Sequence, residues 1–280
     1  MRWESSRRST NIEDRRGMGG AGMIGGGGVG MLVLVLIVSF VSGRNPLELL
    51  QQVEQTAPTG QSAPTGAPAN DPEAEKVASV LAETEDTWRR IFQQNGTRYE
   101  DPVLVLFEGS VSSTCGMASS AVGPFYCPAD HKLYLDLSFF RELDQRFGAP
   151  GDFAQAYVVA HEVGHHVQTL LGTSERVQTS RSRLSVGEAN KLSVRQELQA
   201  DCYAGVWGHH ANQRQWLDEG DIEEGLRAAA AIGDDRLQRQ TQGQVVPESF
   251  THGSSEQRQQ WLMRGLQSGD IKQCDTFGTS

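Results

Sequence analysis

The sequence has no excess of basic residues. Of its 280 residues, 25 are Lys or Arg and 35 are Asp or Glu, so the formal net charge is -10 at pH 7. An acidic chain is poorly suited to the phosphate backbone of nucleic acid, and it also disfavours anionic substrates. We therefore predict no nucleic-acid partner. The chain is long enough to bury a hydrophobic core without the help of disulfides.

Cysteine is scarce as well. The four cysteines allow three pairings, and the sequence does not determine which of them forms. Cys115 and Cys127 are close enough to close a short loop, and they are the pair we favour. The other two cysteines are Cys202 and Cys274.

Charge is absent from Gly17 to Gly43, where residues 31–41 read MLVLVLIVSFV. A run of this length can span a bilayer as a helix, which needs about 20 apolar residues. Five arginines precede it, so the positive-inside rule places the N-terminus in the cytoplasm and the rest of the chain outside. The alternative is a cleaved signal peptide, with 31–41 as its apolar core and cleavage near 41–43. Under either interpretation, the rest of the chain is exported from the cytoplasm. Its cysteines are then expected to form disulfides.

The domain organisation follows from these segments. We predict a basic cytoplasmic tail at 1–20, a transmembrane signal-anchor helix at 21–43, a flexible linker at 44–70 and one folded domain at 71–280. The linker contains APTG twice and shows no periodic apolar pattern, which is typical of a flexible, partly extended segment.

Several elements of the folded domain can be predicted locally. Asp71 can cap a helix that has Pro72 at its first position and ends at QQNG, residues 93–96. VLVLF at 103–107 is typical of a buried strand. In residues 132–137, Leu133, Leu135 and Leu137 alternate with Lys132, Tyr134 and Asp136, which predicts a strand with one buried face.

A group of histidines lies in the segment 152–172, for which we predict a helix of about five turns with Asp152 as its N-cap and Gly172 as its stop. His161 and His165 are four residues apart, so their imidazoles point the same way, as two ligands of one Zn2+ require. His166 points elsewhere. Glu162 lies beside the first ligand and is close enough to take a proton from an attacking water. The alternative is an ordinary pair of core or surface histidines.

A catalytic zinc needs a third protein ligand and an open position. The long H-E-x-x-H-x-x-G-x-x-H pattern is excluded because Leu171 occupies the place of its last histidine. VRQELQADCYAGVW, residues 194–207, instead offers Glu197 and Asp201 one helical turn apart. Glu197 would be the third ligand, and Asp201 would accept a hydrogen bond from the distal N–H of His161. A solvated acidic face is the alternative, and the apolar neighbours disfavour it.

Four segments together resemble the neutral zinc metallopeptidase family of bacterial envelope proteins: HEVGHHVQ, ELQADCYAGVW, FYCPADHKLYLDLSFF and SFTHGSSEQRQQW. The resemblance covers most of residues 71–280, and the layout is also similar to small membrane-linked gluzincin peptidases. It implies one Zn2+ per chain on His161, His165 and Glu197, with Glu162 as general base and Asp201 as support. It further implies a zincin-like α+β domain, mainly helical with a small sheet, behind the N-terminal transmembrane helix on the extracytoplasmic side of the bacterial cell membrane.

The resemblance also implies parts of a substrate site. An edge strand would pair with an extended substrate, and the strand that fits carries Lys132, Tyr134 and Asp136. THGSSEQR resembles a segment that supplies donors to the oxyanion, which makes His252 and Arg258 candidates. In the alternative, Ser254 caps a helix and both residues merely pack near its start. Tyr203 is a weaker candidate donor, and the remaining histidines are expected to be a turn residue, His131, and helix-end residues, His209 and His210.

The predicted function is hydrolysis of peptide bonds in envelope or exported polypeptides by a membrane-anchored zinc endopeptidase. The competing class is a catalytically silent, zinc-containing docking module, and an autoinhibited or very selective protease is also compatible with the sequence. Glu162 favours an enzyme, because a structural zinc site uses four protein ligands and needs no base beside the metal.

Overall fold

The computed structural model describes residues 1–17 and 70–278. The predicted transmembrane helix at 21–43 and nearly all of the predicted linker lie outside these residues. Within the two described ranges, every helix is too short or too polar to span a bilayer.

Helices make up most of the described fold, as predicted, and a small sheet packs with them. Asp71 caps the first helix through the N–H of Ala74, and Pro72 is its first residue, which confirms the predicted start. The helices are α1 (Pro72–Gln94), α2 (Ser138–Gln145), α3 (Asp152–Leu170), α4 (Thr173–Arg181), α5 (Val186–Gln213), α6 (Asp221–Ala231), α7 (Asp234–Gln242) and α8 (Ser255–Ser268). Short 3-10 turns cover Ser120–Val122, Pro247–Ser249 and Ile271–Cys274.

The main sheet contains β1 (Ile12–Asp14), β2 (Val103–Phe107), β6 (Lys132–Asp136) and β5 (Phe125–Cys127), in that spatial order. β1 and β6 run parallel to β2, while β5 runs antiparallel to β6. The prediction that 132–137 is an edge strand is therefore wrong. β6 is bonded on both sides, and the edge strands of this sheet are β1 and β5.

A hairpin of β3 (Ser110–Ser113) and β4 (Gly116–Ser119) contributes to a second apolar cluster beside the sheet. Tyr134 packs in that cluster, so β6 is buried on both faces and the prediction of one buried face is wrong. Asp136 is buried too. Its carboxylate accepts hydrogen bonds from the N–H groups of Gly109 and Ser138 and from the hydroxyl of Ser120.

Residues 1–17 are part of the folded body rather than the separate tail described in the sequence analysis. β1 adds a strand to the sheet next to β2, and Ile12 lies in the main hydrophobic core at 1% exposure. Three residues with one buried side chain give too weak a periodic signal to predict a strand from sequence.

Helices α5 and α8 cross at a very short distance from each other, and this close contact fixes their relative position. A Cβ on Gly205 would lie 2.2 Å from the carbonyl oxygen of Leu262, and one on Gly265 would lie 2.0 Å from that of Cys202. Only glycine permits this approach.

The expected disulfide Cys115–Cys127 is confirmed. The second disulfide, Cys202–Cys274, links α5 to the C-terminal 3-10 turn.

Candidate metal centre and active-site cleft

The three predicted metal ligands converge. His161 and His165 lie one turn apart on α3, and Glu197 reaches them from α5. The three donor atoms lie within 4.8 Å of one another. Nε2 of His161 is 3.1 Å from Oε2 of Glu197, and Nε2 of His165 is 3.5 Å from Oε1. The side chains predicted from helical spacing therefore form one cluster.

Both imidazoles are oriented through their distal nitrogens. Nδ1 of His161 lies 2.8 Å from Oδ1 of Asp201, as predicted, and Nδ1 of His165 lies 2.9 Å from Oε1 of Gln168. Because each acceptor is an oxygen without a proton to donate, Nδ1 carries the hydrogen in the neutral form of each ring, and Nε2 is then the atom with the lone pair that a metal needs. Gln168 is fully buried and was not predicted, although its position three residues after His165 places it on the same face of α3.

The glycine inside the histidine motif brings the two ligand helices together. A Cβ on Gly164 would lie 2.8 Å from the carbonyl oxygen of Ala200 and 3.0 Å from its Cα. Any larger side chain would push α3 away from α5. Gly164 and the small Ala200 therefore set the distance that lets Glu197 reach the two histidines.

The cluster has a strong electrostatic preference for a cation. Burial opposes the charged form of His161, but the charge of Asp201 and hydrogen bonds to Asp201 and Glu197 outweigh it and raise the pKa of His161 to about 10. Burial likewise opposes ionisation of Glu197, yet the two histidines hold the pKa of its carboxyl well below the usual range. A buried carboxylate beside two imidazoles thus attracts either protons or a metal ion.

Asp201 is held in a buried network behind His161. Its carboxylate accepts hydrogen bonds from the hydroxyl of Tyr157 at 2.5 Å and from Nε and Nη2 of Arg258, each at 2.9 Å. Burial opposes ionisation, but the charges of Arg258 and His161 lower the pKa of Asp201 to about 2. Asp201 is therefore an anion that fixes His161.

Arg258 is in the environment that the alternative prediction describes, paired near the start of a helix that Ser254 caps. Its side chain is 3% exposed, and its guanidinium donates to Asp201, to the hydroxyl of Tyr157 at 3.0 Å and to the carbonyl of Ile232 at 3.3 Å. These contacts commit the guanidinium to the support of Asp201. Arg258 also lines the cleft beside the ligand cluster, so a role as oxyanion donor stays a prediction. Ser254 caps α8 with a capping box, which brings Arg258 into place one turn later.

A cleft of about 600 Å3 opens beside the ligand cluster. Glu162 lines it next to His161 and His165, as the helical spacing predicts. Its lining includes β5 and the residues before it, the end of α6, α7 and the segment around His252. The cleft thus combines the metal ligands, the adjacent carboxylate of Glu162 and enough space for an extended peptide segment.

The edge strand β5 is attached firmly to the metal-binding helix. The hydroxyl of Tyr126 lies 3.1 Å from Nδ1 of His166, and Nε2 of His166 lies 2.6 Å from the carbonyl oxygen of Glu100. Burial lowers the pKa of His166 to about 4, so the ring is neutral and donates to that carbonyl. As predicted, His166 is not a ligand. It holds the strand that forms the cleft wall.

His252 lines the cleft and is oriented by a residue that was not predicted. Asp234 is buried, and its carboxylate accepts the N–H groups of Thr251, His252 and Gly253 and lies 3.1 Å from Nδ1 of His252. The hydrogen bond to Asp234 raises the pKa of His252, and the charge of Glu197 adds to this shift. Asp234 opens α7, in a stretch where two adjacent aspartates look like ordinary helix-start residues.

The other candidates lie away from the site. Tyr203 is buried against Trp88, with ring centroids 5.6 Å apart, and does not line the cleft, so the structure contradicts its candidacy. His131 is a turn residue with a φ of 58°, as expected. His209 and His210 bond to the carbonyls of Leu266 and Gly269 at the end of α5.

The donor set fits zinc. Two imidazole nitrogens and one carboxylate are typical of catalytic zinc sites, which leave a fourth position open. Bonds of about 2.0–2.1 Å in a tetrahedral site keep ligand atoms about 3.3 Å apart, and the observed separations to Glu197 are 3.1 and 3.5 Å. In the neutral form of the rings, both Nε2 atoms are free of hydrogen and can bind a metal. The residues present therefore suit Zn2+.

Comparisons with known proteins agree with this site. A family model described as "Putative neutral zinc metallopeptidase" matches residues 1–277. The chain is 49% identical over 287 aligned positions to "Uncharacterized protein YpfJ" of Escherichia coli (strain K12), covering 100% of both. It is 45% identical over 227 positions to "Uncharacterized protein Rv2575" of Mycobacterium tuberculosis (strain ATCC 25618 / H37Rv), covering 77% of this chain and 74% of that protein. No solved structure matches the chain significantly.

The site and the family match point to the same class, the zinc metallopeptidases. The chain belongs to the neutral zinc metallopeptidase family, as its sequence motifs suggested, and this membership implies a Zn2+ cofactor.

Proposed function

We propose that the protein is a zinc-dependent endopeptidase that cleaves envelope or exported polypeptides, with Glu162 as the general base. The observation that supports this most is the position of Glu162, which lines an open cleft beside a cluster of three metal ligands. A docking module has no need of a carboxylate in this place. The first test is cleavage of casein by the full chain, with bound zinc measured in the same sample. The zinc-loaded chain is expected to cleave casein.

The residues divide the chemistry among them. When bound, zinc polarises the peptide carbonyl and makes a water more acidic. Glu162 accepts the proton from the attacking water and then delivers it to the amine that leaves. Asp201 and Gln168 keep the imidazoles of His161 and His165 turned towards the cleft.

We assign the second oxyanion donor to His252 rather than to Arg258. Because Asp234 accepts from Nδ1 of His252, the other nitrogen carries a proton only when the ring is an imidazolium. The hydrogen bond to Asp234 raises the pKa of His252 and so keeps that form present at higher pH. Transition-state charge can then be stabilised by a preorganised donor.

Replacing His252 by Ala is expected to lower kcat by about 100-fold with little change in KM, because the donor acts on the transition state. The pH profile gives a second readout. The folded-state pKa of His252 is raised, so the protonated donor is present below it and is lost as pH rises through it. The wild-type rate should therefore contain an alkaline decline that the Ala variant lacks. An unchanged profile in the variant would remove His252 from the mechanism.

The cleft is suited to an extended polypeptide with an apolar side chain. The free edge of β5 lies along it and can add a substrate strand through main-chain hydrogen bonds. Its inner surface is largely apolar, while Glu142 and Arg146 form an exposed ion pair at 3.4 Å on its lining. The apolar lining residues include Phe139, Phe147, Val158, Ile232 and Leu237.

Peptides with Leu or Phe next to the cleaved bond are expected to react at least about 10-fold faster than peptides with Asp there, judged by kcat/KM. Leu237→Asp should narrow this difference, because it places a charge on the apolar lining. Val246→Asp is the matched control, since Val246 is exposed and does not line the cleft. Equal rates for both peptide sets would contradict an apolar subsite.

A further inference from the structure

The N-terminal segment, residues 1–17, is bound to the body by an ordered ladder of main-chain hydrogen bonds. Ile12, Glu13 and Asp14 pair with Leu104, Val105 and Leu106 of β2. The ladder continues at both ends: the N–H of Leu104 donates to the carbonyl of Asn11 at 2.9 Å, and the N–H of Arg15 donates to that of Leu106 at 2.8 Å. Without this segment, β2 would be the open edge of a mainly parallel sheet, a strand type that is usually covered.

A buried carboxylate on α1 depends on the same segment. Glu85 has a fully buried side chain, and its oxygens accept from Nη2 of Arg7 at 2.8 Å, from Nδ2 of Asn11 at 2.8 Å and from the hydroxyl of Ser9 at 2.5 Å. All three donors belong to residues 1–17, whereas the guanidinium of Arg89 on α1 lies farther away, at 3.7 Å. A buried carboxylate without such partners is strongly unfavourable. Glu85 is thus matched to an N-terminal segment that is present in the fold.

The two chain segments also meet where they leave the described structure. Arg16, next to the last described residue of the N-terminal segment, forms an ion pair at 2.6 Å with Asp71, the cap of α1. Residues 17 and 70 therefore emerge at neighbouring points of one surface. The uncharged run from Gly17 to Gly43 lies between them in sequence.

We propose that residues 1–17 and residues 70–278 occupy the same compartment, so that the chain between them does not carry the protein once through a membrane. A single crossing would place about 30 Å of hydrocarbon between β1 and β2, whose main chains are hydrogen-bonded. Two helical crossings need about 40 apolar residues, and the uncharged run falls well short of that number. This arrangement replaces a single-pass topology with a cytoplasmic N-terminus, and it does not depend on the proposed peptidase activity.

Labelling in the native cell tests the compartment directly. Ser5 and Thr179 are exposed, one in the N-terminal segment and one on α4, and the four native cysteines are paired in disulfides. Full chains with Ser5→Cys or Thr179→Cys are treated with a membrane-impermeant maleimide in spheroplasts, before and after permeabilisation. The two positions should show the same accessibility, either both before or both only after. Labelling of one position before and the other only after, or a mature chain that lacks residue 5, would overturn the proposal.

Thermal unfolding of the full chain tests whether the segment is structural. Ile12→Asp is expected to lower Tm by about 10 °C, because the strand would bring a charge into the core. Thr10→Asp, at an exposed position of the same segment, should leave Tm unchanged. If Ile12→Asp does not fold, Ile12→Ala provides a milder change with a smaller decrease. A Tm unaffected by either substitution at Ile12 would overturn the integration of β1.

Discussion

Replacing Glu162 by Gln is expected to reduce kcat/KM for peptide hydrolysis by about 1,000-fold while zinc remains bound at one ion per chain. Gln keeps the size of the side chain but cannot accept a proton, and a positioned general base contributes about 100- to 10,000-fold. Zinc binding should persist, because the ligands are His161, His165 and Glu197 and their orienting partners are unchanged. The measurement is single-peptide cleavage together with metal analysis.

The control is Glu175→Gln, which removes the same charge from an exposed position on α4. It should leave both activity and zinc content unchanged. If the wild type binds zinc but neither it nor Glu162→Gln cleaves any polypeptide, a docking module becomes the better account. If Glu162→Gln keeps full activity, another group must be the base.

The metal ligands could be predicted because helix geometry converts a spacing of four residues into a shared direction. His161 and His165 lie on one helix, and Glu197 and Asp201 lie on another. The local sequence therefore predicted that each of the two helices carries part of the metal site. The need for a third zinc ligand then indicated that the two helices contribute to the same site. The contact that holds the helices together, Gly164 against Ala200, involves residues whose small size only the structure explains.

The features that were missed depend on contacts between distant parts of the chain. The alternation in 132–137 predicted a strand, but it could not show that β5 and β2 bond to either side of it. β1 pairs across about 90 residues of sequence and buries one side chain deeply. Asp234 orients His252 from 18 residues away. Register, edges and supporting hydrogen bonds of this kind are tertiary properties.

Arg258→Met is expected to destabilise the protein by about 3–5 kcal/mol, because it removes the guanidinium that pairs with the buried carboxylate of Asp201 and donates two hydrogen bonds to it. For a domain of this size, that loss corresponds to a decrease in Tm of roughly 10 °C. Zinc affinity should also decrease by about 10- to 100-fold, since Asp201 orients His161. The measurements are thermal unfolding of the metal-free chain and competition for zinc with a chelator.

The pH dependence of stability distinguishes loss of this charge pair from a simple packing defect. In the folded protein the pKa of Asp201 is lowered to about 2, so its ion pair stabilises the fold above about pH 4, and that stability is lost as pH falls towards 2. Without Arg258, the opposing effect of burial raises the pKa of Asp201 relative to the wild type. In the variant, the loss of folding stability at acid pH should therefore be smaller and should occur at higher pH than in the wild type.

Arg264→Met is the matched control, because Arg264 is an exposed arginine of α8 that stacks on Trp261. It should change stability by less than about 0.5 kcal/mol, and equal effects of the two substitutions would contradict the role assigned to Arg258.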